Sequence, residues 1–132
     1  MAPPSPSSSA EVVRSFLAAF ADGDADIIAS HVSDDYWNEH TSALGTDCRG
    51  RREYRRCLPE FLATFSELSY EVEDLVDAGD GRVAVSYRLR ATWGRFPVDI
   101  RGAMLFWVSG GEIAHRMDCF DSLTFLRQVG QA

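Results

Sequence analysis

At Ser66 the spacing of apolar residues changes, and that change constrains the fold more than any other feature of the chain. Before it, Val12, Phe16 and Phe20 recur at i, i+4, i+8 with Val13 and Leu17 alongside, and Tyr54, Leu58, Phe61, Leu62 and Phe65 keep a helical spacing. After it, Leu68, Tyr70 and Val72 alternate with polar residues, and so do Val83, Val85, Tyr87 and Leu89. Helices first and strands second is the pattern of an α+β domain.

Local signals refine this outline. Ser8 stands three residues before Glu11 in capping-box spacing, so the first helix begins there and ends near Asp22-Gly23. Asp24 caps a second helix carrying Ile27, Ile28 and Val32, which the chain leaves at Ser33-Asp34-Asp35. Tyr36-Trp37-Asn38 suits a short extended piece. Pro59 is expected to kink or split the third helix, because proline removes a ladder donor and crowds the preceding turn. Turns at Ala78-Gly79-Asp80-Gly81 and at Gly94 separate the strands, the third long strand runs from Pro97 to Val108, and Ser109-Gly110-Gly111 is a tight hairpin. The last strand is Glu112 to Phe120, after which Asp121 caps Leu123, Phe125 and Leu126. Strands joined by such short turns form an antiparallel meander. Strongly twisted and wrapped on three helices, it leaves room for a pocket.

With 132 residues, the chain suits one domain. Residues 3 to 9 are proline and serine only, so residues 1–8 are expected to form a disordered leader and 9–132 a single domain. The 20 acidic and 13 basic residues leave a net charge of −7, which disfavours nucleic acid and anionic membrane partners. No apolar run is long enough for a spanning helix, and the start lacks a secretion signal, so the expected location is cytoplasmic. Cys48, Cys57 and Cys119 are read as reduced thiols. No phosphate-binding glycine loop, zinc-ligand spacing or serine nucleophile elbow is present, so no metal site is expected.

Polar groups inside apolar strands are therefore the candidates for chemistry. Asp118 lies between bulky residues in Met117-Asp118-Cys119-Phe120, where burial of a carboxylate is costly unless it is paired or used. The plain alternative is an exposed residue, or one paired with Arg116. Arg88 and Arg90 share one face of a strand whose other face is Val83, Val85, Tyr87 and Leu89, so patterning alone puts both arginines in solvent. Tyr36 and Asn38, two apart in an extended piece, point the same way and can hold one water or substrate oxygen, and His40 continues that side. Trp93, Met104 and Phe106 are candidates for the apolar lining of a pocket or for plain core.

Taken in order, these residues carry a resemblance. Cys48-Arg49-Gly50-Arg51-Arg52-Glu53-Tyr54-Arg55, Tyr70-Glu71-Val72-Glu73-Asp74-Leu75-Val76, Arg101-Gly102, Gly111-Glu112-Ile113 leading to Asp118, Asp121-Ser122-Leu123 and Leu126-Arg127-Gln128-Val129-Gly130 resemble the SnoaL-like polyketide cyclases from Glu11 to Gly130. That family sits in the superfamily of ketosteroid isomerase, nuclear transport factor 2 and limonene-epoxide hydrolase. The resemblance implies a cone-shaped α+β barrel, three N-terminal helices on a strongly curved antiparallel sheet enclosing a pocket. It also implies a last-strand aspartate, here Asp118, as general acid/base in an intramolecular aldol closure without metal or cofactor. Met104 stands where the family often has a facing histidine or aspartate, and Asn38 or His40 aligns loosely with another family position. Tyr36, Asn38, Arg88 and Asp118 further resemble four of the five residues of limonene-epoxide hydrolase, which puts the Arg88 side chain in the cavity; Arg90 stands in place of the fifth, an acid.

The expected protein is thus a cofactor-independent cyclase or isomerase of secondary metabolism, acting on a small hydrophobic oxygenated substrate. Asp118, Tyr36, Asn38 and Arg88 form its catalytic set, and His40, Arg90, Trp93, Met104 and Phe106 bind the substrate. An epoxide hydrolase or epoxide-opening cyclase is the alternative, and a non-catalytic small-molecule-binding dimer is another. The superfamily resemblance also implies a homodimer through the outer face of the sheet.

Overall fold

The computed structural model describes residues 8–132. Its elements are α1 (Ser9–Ala19), α2 (Ala25–Ala29), β1 (Val32–His40), β2 (Cys48–Arg49), α3 (Arg51–Thr64), β3 (Phe65–Asp77), β4 (Arg82–Trp93), β5 (Phe96–Ser109), β6 (Glu112–Phe120) and α4 (Ser122–Gln128). The expected disordered leader lies outside the described residues, except for Ser8, whose hydroxyl caps α1 by accepting from the Glu11 amide at 3.1 Å. No described helix is long and apolar enough to cross a membrane.

The change of period at Ser66 marks the real boundary between layers. Six strands form one open, curved sheet in the order β2-β1-β6-β5-β4-β3. From β3 to β6 it is the expected meander. The expectation of a wholly antiparallel sheet needs one correction, because β1 pairs with β6 in parallel, with His40 opposite Asp118. Short turns allow only antiparallel neighbours, but β1 reaches β6 after a long crossover through the rest of the domain, which leaves its direction free.

The core lies between this sheet and the helices. Val13, Phe16, Leu17 and Ile28 from α1 and α2 pack on Val83, Val85, Phe106 and Ile113, all at most 2% exposed. The second helix stops earlier than its apolar spacing suggests. Ser30 Oγ donates to the Ile27 carbonyl at 2.6 Å and His31 Nδ1 lies 2.8 Å from the same oxygen, which closes the helix end, so Val32 begins β1. Pro59 does not split α3, which runs unbroken from Arg51 to Thr64. Pro59 is exposed, so its ring lies on the solvent side of the helix and not in the packed face.

Two backbone details position the site. Gly110 and Gly111, at φ of 60° and 78°, make the two-residue turn between β5 and β6 that other residues adopt only with strain. Just beyond it, β6 carries one extra residue: Trp107 pairs with His115 but Val108 pairs with Ile113. This bulge at Ala114 shifts the alternation by one, so Ile113 and Arg116 both face inward, followed by Asp118.

Candidate active site

Among the described residues three polar or charged side chains are buried, namely Asn38, Arg116 and Asp118 at 7%, 4% and 5% exposed. They meet at one place. β1 supplies Asn38 and the neighbouring β6 supplies the other two, and together they line a cavity of about 340 Å³ between the inner face of the sheet and the helices. Phe20, Leu58, Phe61, Leu89 and Ile100 make most of the remaining wall apolar.

Asp118 is held from several sides. Tyr87 donates its hydroxyl proton to Oδ1 at 2.6 Å, Arg116 Nη2 lies 3.5 Å from Oδ2, and His40 Nε2 lies 3.9 Å from the same oxygen. Tyr87 reaches the carboxylate because Gly102 lies opposite it on β5; a Cβ there would sit 2.5 Å from the Tyr87 oxygen and 2.7 Å from the Cys119 carbonyl. Burial, and next the anionic Asp118 beside it, hold the Tyr87 phenol far above its ordinary range, so Tyr87 keeps its proton and acts as a donor.

Arg116 is the positive centre. Nη1 donates to Asn38 Oδ1 at 3.2 Å, Nη2 to the Tyr70 hydroxyl at 3.4 Å, and Nε approaches the Met104 sulfur at 3.4 Å. Burial opposes its charge, yet its pKa is held well above the ordinary value, with the Tyr70, Tyr36 and Tyr54 oxygens around it and Asp118 as the carboxylate beside it. All four tyrosines of the chain gather here. Burial pushes the Tyr70 phenol up to about 12, even against Arg116, and raises Tyr36 and Tyr54 as well. Tyr36 donates to Asn38 Oδ1 at 3.1 Å; with Arg116 on the same oxygen, the amide is fixed with its nitrogen left over.

His40 faces this cluster from the end of β1. Its Nδ1 lies 2.9 Å from the Thr46 carbonyl, which fixes the proton on Nδ1 and leaves the Nε2 lone pair toward Asp118. Burial first, and then Arg116, pull its pKa below the ordinary value, although Asp118 pulls the other way, so the ring is neutral at pH 7. The site thus combines a carboxylate, a neutral imidazole, a guanidinium and several phenols inside an apolar wall.

The structure sorts the expected residues into three groups. Asp118, Asn38 and His40 line the cavity. Tyr36, Met104 and Phe106 lie buried behind it: Tyr36 orients Asn38, Met104 touches Arg116, and Phe106 packs against Phe16 with ring centres 6.1 Å apart. Trp93 does not line the cavity either and stands half-buried against Phe96 and Phe125. Arg88 and Arg90 are a correction. Both project from the outer face, where Arg88 forms a bidentate pair with Asp99 at 2.6 and 2.7 Å and Arg90 bonds Glu71 at 3.2 Å. The β4 alternation turns Tyr87 and Leu89 inward and therefore sends both arginines out. The guanidinium that reaches Asp118 is Arg116, and only its position two residues before Asp118 on one strand marked it in advance. Tyr54, Tyr70 and Tyr87 carried no signal beyond their place in apolar stripes.

Comparison with known proteins agrees with this architecture. A family model described as SnoaL-like domain matches residues 13–116, a span that ends two residues short of Asp118. No curated protein matches the chain. Among solved structures, a protein of ketosteroid isomerase-like fold from Catenulispora acidiphila DSM 44928, in complex with trimethylamine, is 19% identical with a TM-score of 0.83, covering 92% of this chain and 94% of that one. An LEH-like epoxide hydrolase from M. tuberculosis is 21% identical with a TM-score of 0.80, covering 96% of both chains. A protein assigned as a polyketide cyclase from Xanthomonas campestris pv. campestris is 17% identical with a TM-score of 0.76, covering 92% and 96%. At these identities the likeness is one of fold.

Proposed function

The chain belongs to the SnoaL-like domain family, and from that premise we propose that it is a cofactor-independent acid/base enzyme, a cyclase or isomerase acting on a hydrophobic oxygenated small molecule. The burial of Asp118 at the cavity, with one carboxylate oxygen taken by Tyr87 and the other loosely held, carries this reading. Oδ2 takes a proton from a carbon next to a substrate carbonyl. The electron pair left behind moves onto the carbonyl oxygen, and the charge of Arg116 stabilises the resulting enolate in a wall that excludes water. Attack of the enolate carbon on a second carbonyl of the same molecule forms the new carbon–carbon bond, and the proton returns from Asp118 to the new alkoxide. Return of that proton to a different carbon gives isomerisation instead. Neutral His40, with its Nε2 lone pair 3.9 Å from Oδ2, gives the proton a second acceptor.

Hydrogen–deuterium exchange tests this without knowledge of the natural substrate. With 2-tetralone in heavy water, the protein should speed exchange next to the carbonyl, and Asp118→Asn should slow it by roughly 10²- to 10⁴-fold. Exchange no faster than in buffer would refute the enzymatic reading and favour a binding protein.

The continuous hydrogen-bonded row Tyr36–Asn38–Arg116–Asp118 favours epoxide opening as a second reading. Asn38 and Asp118 would then hold the attacking water. Incubation of a styrene-type epoxide in ¹⁸O-water decides it, since only hydrolysis puts solvent oxygen into a diol.

A further inference from the structure

All three cysteines are free thiols, and two of them share one wall of the cavity. Cys48 lies in β2 directly opposite Asn38 of β1, and opposed residues of paired strands present their side chains to the same face. Cys57 projects from the second turn of α3 and borders the same space. Gly50, whose φ of 89° few other residues adopt, turns the chain from β2 directly into that helix. The Cys57 sulfur is close enough to act on Cys48 as a hydrogen-bonding neighbour. Burial first, then Cys57 and Glu53, push the Cys48 thiol up to about 11, so it stays protonated at neutral pH.

Cys57 has different surroundings. It is exposed, its thiol donates to Glu53 Oε1 at 3.7 Å, and Arg56 Nη2 lies 3.9 Å from its sulfur. A carboxylate that accepts the proton and a guanidinium that faces the sulfur favour this thiol as the one that reacts first. Cys119 lies on the face of β6 opposite to Asp118, outside the cavity, where Thr41 Oγ1 donates to it at 3.1 Å. Among the described residues no group of three potential metal ligands exists, so a metal centre does not explain the pair.

We propose that Cys48 and Cys57 form a dithiol modification site at which a peroxide closes an intrachain disulfide between β2 and α3. The Cys57 thiolate attacks one peroxide oxygen: an S–O bond forms, the O–O bond breaks, and the departing hydroxide takes up the proton that Cys57 released, giving water. The Cys48 sulfur then attacks the sulfur of the Cys57 sulfenic acid. An S–S bond forms, the S–O bond breaks, and hydroxide leaves with the Cys48 proton as a second water. The two thiols lose two electrons and the peroxide gains them. A small thiol reverses the change by exchange. The bond ties together two elements of the cavity wall, and it forms whether or not Asp118 is catalytic.

Peptide mapping of the full chain tests it. After treatment with hydrogen peroxide and alkylation, trypsin cuts after Arg49 and Arg56 and leaves each cysteine in a separate peptide. Mass spectrometry should find the Ser15–Arg49 peptide joined to the Cys57–Arg82 peptide, in a chain that still runs as a single copy on a non-reducing gel, and dithiothreitol should separate the two. Cys48→Ser should abolish the joined peptide and let the Cys57 sulfenic acid accumulate, so that dimedone labels Cys57 at least about tenfold more than in the unmodified chain. Cys57→Ser should abolish both signals, and Cys119→Ser should change neither. Absence of the joined peptide, joining of Cys119 as often as of Cys48 with Cys57, joining only between two copies, or equal dimedone labelling with and without Cys48 would overturn the proposal. The same treatment in urea should scramble the pairing among the three cysteines. Pairing just as selective there would come from closeness in sequence and not from the fold, and would also overturn it.

Discussion

Arg116 is buried at 4% exposed, and its nearest anion is Asp118 at 3.5 Å. A buried pair of this kind is worth little against an apolar replacement of both members, but loss of one member leaves the other unmatched. Arg116→Met should therefore lower stability by about 3–5 kcal/mol in urea unfolding, and the Asp118→Asn/Arg116→Met double variant should recover part of that loss. His40 links the same cluster to pH. Its folded pKa is lowered, so between that value and about 6.5 the unfolded chain binds more protons. The stabilising contribution of neutral His40 is complete above about pH 6.5 and is lost as the pH falls through that window. The chain should thus unfold more readily toward pH 5, and His40→Gln should flatten that part of the profile. Asp118 was legible in advance because a carboxylate among bulky strand residues has few uses. Arg116 was legible only as a pairing partner of Asp118 and not as the centre of a cluster, since an arginine two residues away on a strand reads equally well as its exposed neighbour. The resemblance to an epoxide hydrolase assigned that role to Arg88, whereas the alternation of β4 had already placed Arg88 outside.

At the level of elements, the bulge at Ala114 explains why the site was harder to read than the fold. Strict alternation from Ile113 puts His115, Met117 and Cys119 inside and Arg116 and Asp118 outside. The extra residue reverses the second half of the strand. His115 then turns outward and is sandwiched between Trp37 and Trp107, with ring centres 4.2 and 4.1 Å away, while Glu39 accepts from its Nε2 at 2.8 Å. Deletion of Ala114 should let His115 follow Ile113 directly and restore plain alternation with Ile113, Arg116 and Asp118 still inward, visible as retained cooperative unfolding and retained exchange of 2-tetralone. Helices and hairpins were legible because caps and paired glycines act locally. The parallel β1–β6 pairing was not, because nothing in either strand records its partner. Pro59 gives a complementary expectation: it lies in an unbroken, exposed stretch of α3, so Pro59→Ala should stabilise the chain by about 1–3 kcal/mol in the same unfolding assay.

Across the whole molecule, charge and polarity are divided between the two faces of one sheet. The outer face carries ion pairs such as Arg88–Asp99, Arg90–Glu71 and Arg101–Glu73, all substantially solvated and each of small energetic consequence. The inner face is apolar except where β1 meets β6. That junction joins an early strand to the last one, since Asn38 and Arg116 are 78 residues apart. Contacts of such long sequence separation form slowly, because the intervening chain must first be organised. During synthesis, a nascent chain that ends after β5 already has α1 to α3, most of its sheet and most of the cavity wall, but lacks Arg116, Asp118 and α4. The buried polar cluster is completed only by the final strand, so no copy that ends before β6 can hold the candidate site.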